Sequence, residues 1–170
     1  KIKLLEHRLM DMIRHGNENA LLSNRLLRWA ASLFAGADTA SMPTRIAVQI
    51  QDQFSVPQVG IKVWDVAATY ASAGFAQGVS DDAKLFASSL TEPFCGVNTG
   101  FEAVTWLDDP AAAASIALLP LRVAPAGSIA PAFGLLVLSS PDAQRFNSGM
   151  GTDFLQQVAE LASAALGRLR

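Results

Sequence analysis

The chain has 170 residues and a mass of 18.0 kDa, with 51% apolar and 16% charged residues. This length fits one domain of about 100–200 residues, and so apolar a composition excludes an intrinsically disordered chain. The net charge of −2 provides no overall basic field for a nucleic-acid backbone, and the single cysteine, Cys95, excludes a disulfide framework and a multi-cysteine metal site.

Residues 1–34 are predicted to form one long helix with a coiled-coil seam. They contain no proline, and their six bases against three acids make them basic, whereas seven bases and twelve acids follow. Such a helix would span roughly 50 Å at 1.5 Å per residue. We therefore expect its N-terminal half to reach outward and pair with a second copy, with the alternative that the whole helix lies on its own domain. Spacings of three and four residues define the seam as Ile2, Leu5, Leu9, Met12, Gly16, Asn19, Ser23 and Leu26.

Residues 35–170 are predicted to form one α+β domain that begins with a helix and a hairpin. Ser41 is the expected N-cap of a second amphipathic helix, which the sequence Ser55-Val56-Pro57 should end. Alternating apolar residues predict a strand over residues 59–63. Residues 66–72 are expected to be its hairpin partner.

The middle of the chain is predicted to contain one short helix and further strands. Ser80 should cap the helix. Residues 92–107 are expected to be irregular, with a short strand predicted within them over residues 103–107. Residues 115–123 and 132–139 form an apolar pair of strands. Because apolar residues point to both faces of these two strands, we expect both faces to be covered.

The most apolar run, residues 110–138, is predicted to be part of a sheet and not a transmembrane helix. Pro120, Pro125 and Pro131 interrupt it, and a membrane span needs roughly 20 uninterrupted apolar residues. We expect a soluble, cytoplasmic protein with no membrane association.

The last element is predicted to be an amphipathic helix that Thr152 or Asp153 caps. Its apolar stripe consists of Leu155, Val158, Ala162, Leu166 and Leu169. The element order predicts a central antiparallel sheet, with the terminal helices on one face and the short elements on the other.

Two apolar strands, an aromatic residue at Phe146 and a long amphipathic helix make the C-terminal third resemble a GAF domain. The more specific resemblance is to a bacterial GAF-like family labelled domain-of-unknown-function family 484. The segments that carry it are Phe133–Leu136, Ser140–Asp142, Arg145–Phe146 and Gly149–Leu155, with a looser match at residues 17–19 and 25–27.

The resemblance implies a GAF fold, which is related to the PAS fold, preceded by a long N-terminal helix through which the chain dimerises. It also implies no assigned catalytic activity. Members tend to have Cys-Gly-Arg where this chain has Cys95-Gly96-Val97, so a shared role for that loop lacks support. GAF domains as a class bind small molecules between the sheet and its covering elements, which here are residues 70–107.

Residues 70–107 supply the candidate ligand contacts. Polar groups in an apolar pocket orient a ligand, and aromatic side chains form its walls. The polar candidates are Cys95, Asn98, Thr99 and Thr105, and the aromatic candidates are Phe86, Phe94, Phe101 and Trp106. For each aromatic residue the alternative is ordinary core packing. Cys95 is expected to be a structural residue, with a redox or ligand contact as the alternative.

Residue types that are missing argue against several chemistries of GAF domains. Both histidines, His7 and His15, lie in the N-terminal helix, so the predicted domain offers no axial histidine to haem and no base to a catalytic triad. Gly96 follows Cys95, which argues against a bilin attached through a Cys-His pair. A lone cysteine cannot form the intramolecular disulfide of sulfoxide-reducing GAF enzymes. We expect no enzyme activity and no metal, and the cofactor, if one exists, is unknown.

Charged residues are interpreted as solvated. Asp81-Asp82 and Asp108-Asp109 lie at a predicted helix start and a turn, where carboxylates are common. The bases of the N-terminal helix alternate with acids, which is typical of a coiled-coil flank and makes nucleic acid an unexpected partner.

We expect a non-enzymatic sensory or protein-interaction module: a GAF-like homodimer that binds a small ligand and passes its state along the N-terminal helix. A ligand can act only through different affinities for two arrangements of the helix pair. Gly16, Asn19 and Ser23 are the weakest part of the seam and the expected place for such a change. The alternatives are a ligand-free dimeric scaffold that binds another protein and a Cys95-dependent redox sensor.

Overall fold

A computed structural model of the chain describes residues 2–35, 39–123, 130–147 and 153–170. The chain divides into two compact units, residues 1–35 and 36–170. The first unit is the helix α1 (Ile2–Ala35). No helix in the described part of the chain is both long and apolar enough to cross a membrane.

The second unit combines helices with an antiparallel sheet, as predicted for an α+β domain. Its described helices are α2 (Met42–Phe54), α3 (Asp81–Ser89) and α4 (Asp153–Leu166). Its described strands are β1 (Gln58–Val63), β2 (Phe94–Val97), β3 (Ser115–Leu121) and β4 (Gly134–Ser140). Short 3₁₀ helices occupy Ala68–Tyr70, Gly74–Ala76, Glu102–Trp106, Pro110–Ala112 and Gly167–Leu169.

The four strands form one sheet in the order β1-β4-β3-β2, and every neighbouring pair is antiparallel. Leu135 of β4 lies opposite Lys62 of β1. Further across the sheet, Leu118 of β3 lies opposite Val137 of β4 on one side and opposite Phe94 of β2 on the other. Side chains that face each other across antiparallel strands share a face of the sheet, so these residues define one face.

Both central strands are covered on both faces, as predicted, because every residue of β3 and β4 is buried. Ile116 and Leu118 belong to an apolar cluster with Leu135 and Val137, over which α3 and the 3₁₀ helix 102–106 pack. Ala117, Leu119 and Leu121 alternate with them and lie on the opposite face. There α2 packs on β1 and α4 packs on β3.

The two helices that cover this second face follow the predicted stripes. On α2, Ile46, Ile50 and Phe54 are buried, in agreement with their four-residue spacing. The α2 helix ends at Ser55, whose φ of 54° is left-handed, and Ser41 precedes it without a capping side-chain hydrogen bond. Of the predicted stripe, Leu155, Val158, Ala162 and Leu166 are buried on α4, and Leu169 is buried in the 3₁₀ helix Gly167–Leu169 that follows it.

Three predictions about local structure are wrong. Residues 66–72 are not a hairpin partner, because β1 pairs with β4 and Ala68–Tyr70 is a 3₁₀ helix. The predicted strand at 103–107 lies in the 3₁₀ helix Glu102–Trp106 and its C-cap. The strand β2 lies inside the segment that was expected to be irregular. Thr152, one of the two predicted caps of α4, lies outside the described residues.

Candidate ligand-binding site

A cavity of about 180 Å³ lies between α3, the 3₁₀ helix 102–106 and the sheet. Asp82 and Phe86 stand one turn apart on α3 and therefore share a face of that helix, and Leu135 contributes from β4. The complete lining is Asp82, Ala83, Phe86, Phe101, Glu102, Ala103 and Leu135. Because a protein cavity of about 150 Å³ can hold benzene, this space suits a small organic molecule.

Aromatic rings form one wall of the cavity. Phe101, which precedes the 102–106 helix, has its ring centroid 5.7 Å from that of Phe86 on α3, with a tilt of 38°. Its centroid is 5.2 Å from that of Phe94 on β2. Such tilted contacts are favourable beyond simple burial. Phe86 and Phe101 thus form the wall, and Phe94 contacts Phe101 from β2.

The N-terminus of α3 is joined to the 102–106 helix by Ser80 and Glu102. The Ser80 hydroxyl accepts a hydrogen bond of 3.1 Å from the Ala83 amide, so it caps α3 as predicted. The Ser80 amide donates to Glu102 Oε2 at 3.0 Å, and the Ser80 hydroxyl donates to Glu102 Oε1. These hydrogen bonds lower the pKa of Glu102. The carboxylate therefore stays ionised beside the cavity.

The C-terminus of α3 is held by Arg122, at the end of β3. Its Nη2 atom donates to the carbonyl oxygens of Ala87, Ser88 and Leu90 at 3.3, 2.9 and 2.6 Å, and its Nε atom donates to Ala130 O at 2.9 Å. A guanidinium at a helix C-terminus satisfies carbonyls that lack helical partners and complements the helix dipole. Burial lowers the pKa of Arg122.

Two further hydrogen bonds meet at Ala132, in the segment before β4, and one of them joins this segment to the same end of α3. The Ala132 amide donates to the Ser88 hydroxyl at 3.1 Å, and the indole of Trp64 donates to Ala132 O at 2.8 Å. Both ends of α3 are therefore bonded to other elements of the domain.

The structure divides the four predicted aromatic residues into two groups. Phe86 and Phe101 line the cavity. Phe94 and Trp106 do not line it. All four pack against the buried cluster that contains Ile116, Leu118 and Val137. Core packing, which the sequence left open as the alternative, therefore describes all four aromatic residues, and Phe86 and Phe101 line the cavity in addition.

Cys95 lies on the other side of the sheet from the cavity. It follows Phe94 in β2, so its side chain points to the opposite face, and its partner in the register is Ala117 of β3. Cys95 is buried, and burial raises the pKa of its thiol. The structure does not bring Cys95 together with the cavity residues.

The three predicted polar contacts lie outside the cavity lining. The side chain of Asn98 donates to Ala113 O at 3.1 Å and accepts from the Gly100 amide at 3.0 Å, which holds the turn after β2. Thr105 donates to Glu102 O at 2.6 Å, and Thr99 is exposed. Asn98 and Thr105 thus stabilise local backbone.

Sequence reasoning did not assign five of the lining residues to the site, which are Asp82, Ala83, Glu102, Ala103 and Leu135. Asp82 was interpreted as a solvated residue at a helix start, and that position is correct. One available signal was its spacing of four residues from Phe86, which places both on one side of a predicted helix.

The predicted dimer seam of α1 includes three residues whose side chains the structure describes. Leu5 and Leu9 are 65% and 58% exposed, and Leu26 is 8% exposed. The side chains of the other five seam residues lie outside the described part of the chain, and these are Ile2, Met12, Gly16, Asn19 and Ser23. Among the described residues there is no group of three or more His, Cys, Asp or Glu placed to hold a metal ion.

A family model described as "Protein of unknown function, DUF484" matches residues 1–170, and no curated protein matches the chain.

The chain is similar to a GAF domain assigned to a sensor histidine kinase from Pseudomonas syringae pv. tomato, with 18% identity, coverage of 91% of each chain and a TM-score of 0.55. It is also similar to a free methionine-R-sulfoxide reductase from Neisseria meningitidis, solved with its substrate. That match has 14% identity, coverage of 88% and 90%, and a TM-score of 0.57. At these identities the likenesses show the fold alone, which is GAF-like, as predicted.

Proposed function

We propose that this chain, which belongs to the DUF484 family and has a GAF-like fold, is a non-enzymatic sensory module that binds a small organic ligand under α3. The observation that carries the proposal is the cavity of about 180 Å³ between α3, the 102–106 helix and the sheet. Ligand sites are concave and mostly apolar, with a few polar groups that orient the ligand. Phe86, Phe101 and Leu135 supply the apolar part here, and Glu102 supplies a fixed polar group.

The position of Cys95 supports a role without covalent chemistry. A reactive cysteine needs a lowered thiol pKa and access to its substrate. Burial instead raises the pKa of Cys95, and the strand alternation places it on the face of the sheet away from the cavity. This arrangement also weighs against the alternative of a Cys95-dependent redox sensor.

We further propose that the chain acts in the cytoplasm as a homodimer, in which α1 pairs with a second α1. Leu5 and Leu9 are separated by one helical turn and are both largely exposed. Such a surface is typical of a helix that buries its apolar side against a partner. A ligand would change this pairing only if it binds two arrangements of the helices with different affinities.

The dimer proposal can be tested with two matched pairs of substitutions in α1. The double variant Leu5→Ser with Leu9→Ser should convert the dimer to a monomer in sedimentation-velocity ultracentrifugation. The control, Leu4→Ser with Met10→Ser, changes residues that are 59% and 64% exposed but lie outside the predicted seam, so the dimer should persist. A wild-type monomer, or equal dissociation of both double variants, would contradict the proposal.

The ligand proposal can be tested by native mass spectrometry of the purified protein, followed by the same sample after denaturation. We expect an additional mass on the native protein that disappears when the protein unfolds. Ala83→Met should abolish it, because the longer side chain would extend from a lining position into the cavity. Leu85→Met, on an exposed position of the same helix, is the matched control and should keep the mass.

The absence of an additional mass in native mass spectrometry would contradict the ligand proposal. If the native protein carries no additional mass, even after incubation with the small-molecule fraction of its host cells, the sensory proposal fails. The alternative of a ligand-free dimeric scaffold that binds another protein would then be favoured.

A further inference from the structure

We infer that the cavity takes a ligand with a positively charged amine group on a compact apolar body. This inference rests on the proposed ligand-binding function and specifies the class of ligand. Five of the seven lining residues are apolar, and the other two, Asp82 and Glu102, carry carboxylates. A charged group in an apolar pocket selects for the opposite charge in its ligand.

Glu102 is the fixed part of this recognition. Each of its carboxylate oxygens already accepts a hydrogen bond from Ser80, which holds the group in one orientation. A carboxylate oxygen can accept more than one hydrogen bond, so both oxygens keep capacity for the N–H groups of a ligand. Glu102 thus offers an oriented acceptor and no donor.

Asp82 is the second carboxylate and is exposed, so the cavity reaches solvent at the N-terminal end of α3. It lies one helical turn from Phe86 on the same face of α3. An ammonium group between Asp82 and Glu102 would therefore have its apolar body directed along Phe86. An anionic ligand in the same place would face repulsion from both carboxylates.

Two positive groups near the cavity, the N-terminus of α3 and Lys62, are already engaged. The dipole of α3 would attract an anion to its N-terminus, but the Ala83 amide donates to Ser80 Oγ, and the first turn contains Asp81 and Asp82. Lys62 lies opposite Leu135 in the sheet. Its Nζ atom donates to Gly74 O at 2.7 Å, and Lys62 does not line the cavity.

The aromatic wall suits the same class of ligand. A cation is attracted to the face of an aromatic ring within about 6 Å of its centroid, and Phe86 and Phe101 both line the cavity. The volume of about 180 Å³ exceeds the roughly 150 Å³ known to hold benzene. A small arylalkyl amine therefore matches the cavity in size, charge and apolar character.

The inference can be tested with 2-phenylethylamine as the probe, and with 2-phenylethanol and 3-phenylpropanoate as its neutral and anionic counterparts. Titrations followed by amide chemical shifts should show the amine perturbing Ala83 and Ala103, which line the cavity. We expect its Kd to be about tenfold lower than that of the alcohol. The propanoate should bind more weakly than the alcohol.

Neighbouring aspartates provide a matched pair of variants. Asp82→Asn should raise the Kd of the amine about fivefold and leave that of the alcohol unchanged, because it removes one lining charge. Asp81→Asn removes the same charge from the same helical turn at a position that does not line the cavity. It should change the Kd by less than about twofold, since exposed charges at a distance are screened.

Three results would overturn the inference: the alcohol or the propanoate binds as tightly as the amine, Asp81→Asn weakens the amine as much as Asp82→Asn, or no amine perturbs the lining residues at millimolar concentration. Native mass spectrometry separates this failure from that of the proposed function. A retained ligand that is neutral or acidic would leave the sensory proposal standing and remove only the amine inference.

Discussion

The guanidinium of Arg122 donates a 2.6 Å hydrogen bond to the carbonyl oxygen of Leu90, the residue that caps the C-terminus of α3. Because the same nitrogen also serves Ala87 and Ser88, Arg122→Met should lower the free energy of unfolding by about 2–3 kcal/mol. Arg122→Lys should recover only part of this loss, since an ammonium cannot reproduce the guanidinium fork.

Urea denaturation would measure both Arg122 variants. Arg168→Met is the control, because Arg168 is an exposed arginine near the C-terminus, and such substitutions usually change stability by less than about 0.5 kcal/mol. If Arg122→Met and Arg168→Met unfold at the same urea concentration, the hydrogen bonds at the end of α3 do not stabilise the domain.

Two glycines offer a test of how closely β1 packs against Val137 of β4 and against Leu107, which follows the 102–106 helix. A Cβ atom on Gly60 would lie 2.9 Å from Val137 Cγ1 and 3.3 Å from Leu107 Cδ2, whereas one on Gly74 would meet nothing within 4 Å. Gly60→Ala should therefore destabilise the protein by about 1–3 kcal/mol, as overpacking commonly does. Gly74→Ala should be neutral or slightly stabilising. Equal midpoints in thermal denaturation would contradict this packing.

Stability should depend on pH through Glu102. Hydrogen bonds from Ser80 lower the pKa of Glu102 below its usual value of 4.5. A carboxyl group with a lowered pKa in the folded state stabilises the protein above that usual value, and this stabilisation is lost as the pH falls through the folded-state pKa. Wild-type protein should therefore lose more stability below about pH 4.5 than Glu102→Gln does. Parallel profiles of unfolding free energy against pH would refute the linkage.

Cys95 should react slowly with thiol reagents. Its thiol is buried and its pKa is raised, so labelling by dithiobis(nitrobenzoate) at neutral pH should wait for local opening of the sheet and be at least about a hundredfold slower than in urea. Cys95→Ala should retain any ligand mass, because Cys95 lies on the face away from the cavity. Rapid labelling of the folded protein would restore the redox alternative.

Local patterns in the sequence predicted most of the elements but not all of their partners. Two predictions depend only on the local repeat of apolar residues along the chain, and both are confirmed. They are the helix with Ile46, Ile50 and Phe54 at four-residue spacing and the strand with alternating residues around Ile61. The partner of β1 is not a local property. β1 pairs with β4, some seventy residues further along the chain, and nothing in residues 66–72 could show this. The strand β2 has four residues, one of them Gly96, which is too short to give a clear alternation.

Only part of the candidate site was predicted, because some of its residues are brought together by the tertiary fold and not by local sequence. Phe86 and Phe101 are large apolar residues in the expected segment, so composition was enough to suggest them. Leu135 belongs to a distant strand, and its place in the cavity follows only from the sheet order. Asn98 and Thr105 were sensible polar candidates, but their side chains bond to nearby backbone, a common use of such residues in turns.

The strand order also affects how the protein is made. A ribosome releases β1 long before β4, its hydrogen-bonding neighbour, whereas β2 and β3 pair with each other over a short stretch of chain. Synthesis from the N-terminus therefore leaves the backbone groups of β1 unpaired until β4 has emerged. Long-range pairing of this kind slows folding and exposes strand edges to aggregation. We expect the nascent chain to be most vulnerable, and most dependent on chaperones, between the release of residue 63 and that of residue 140.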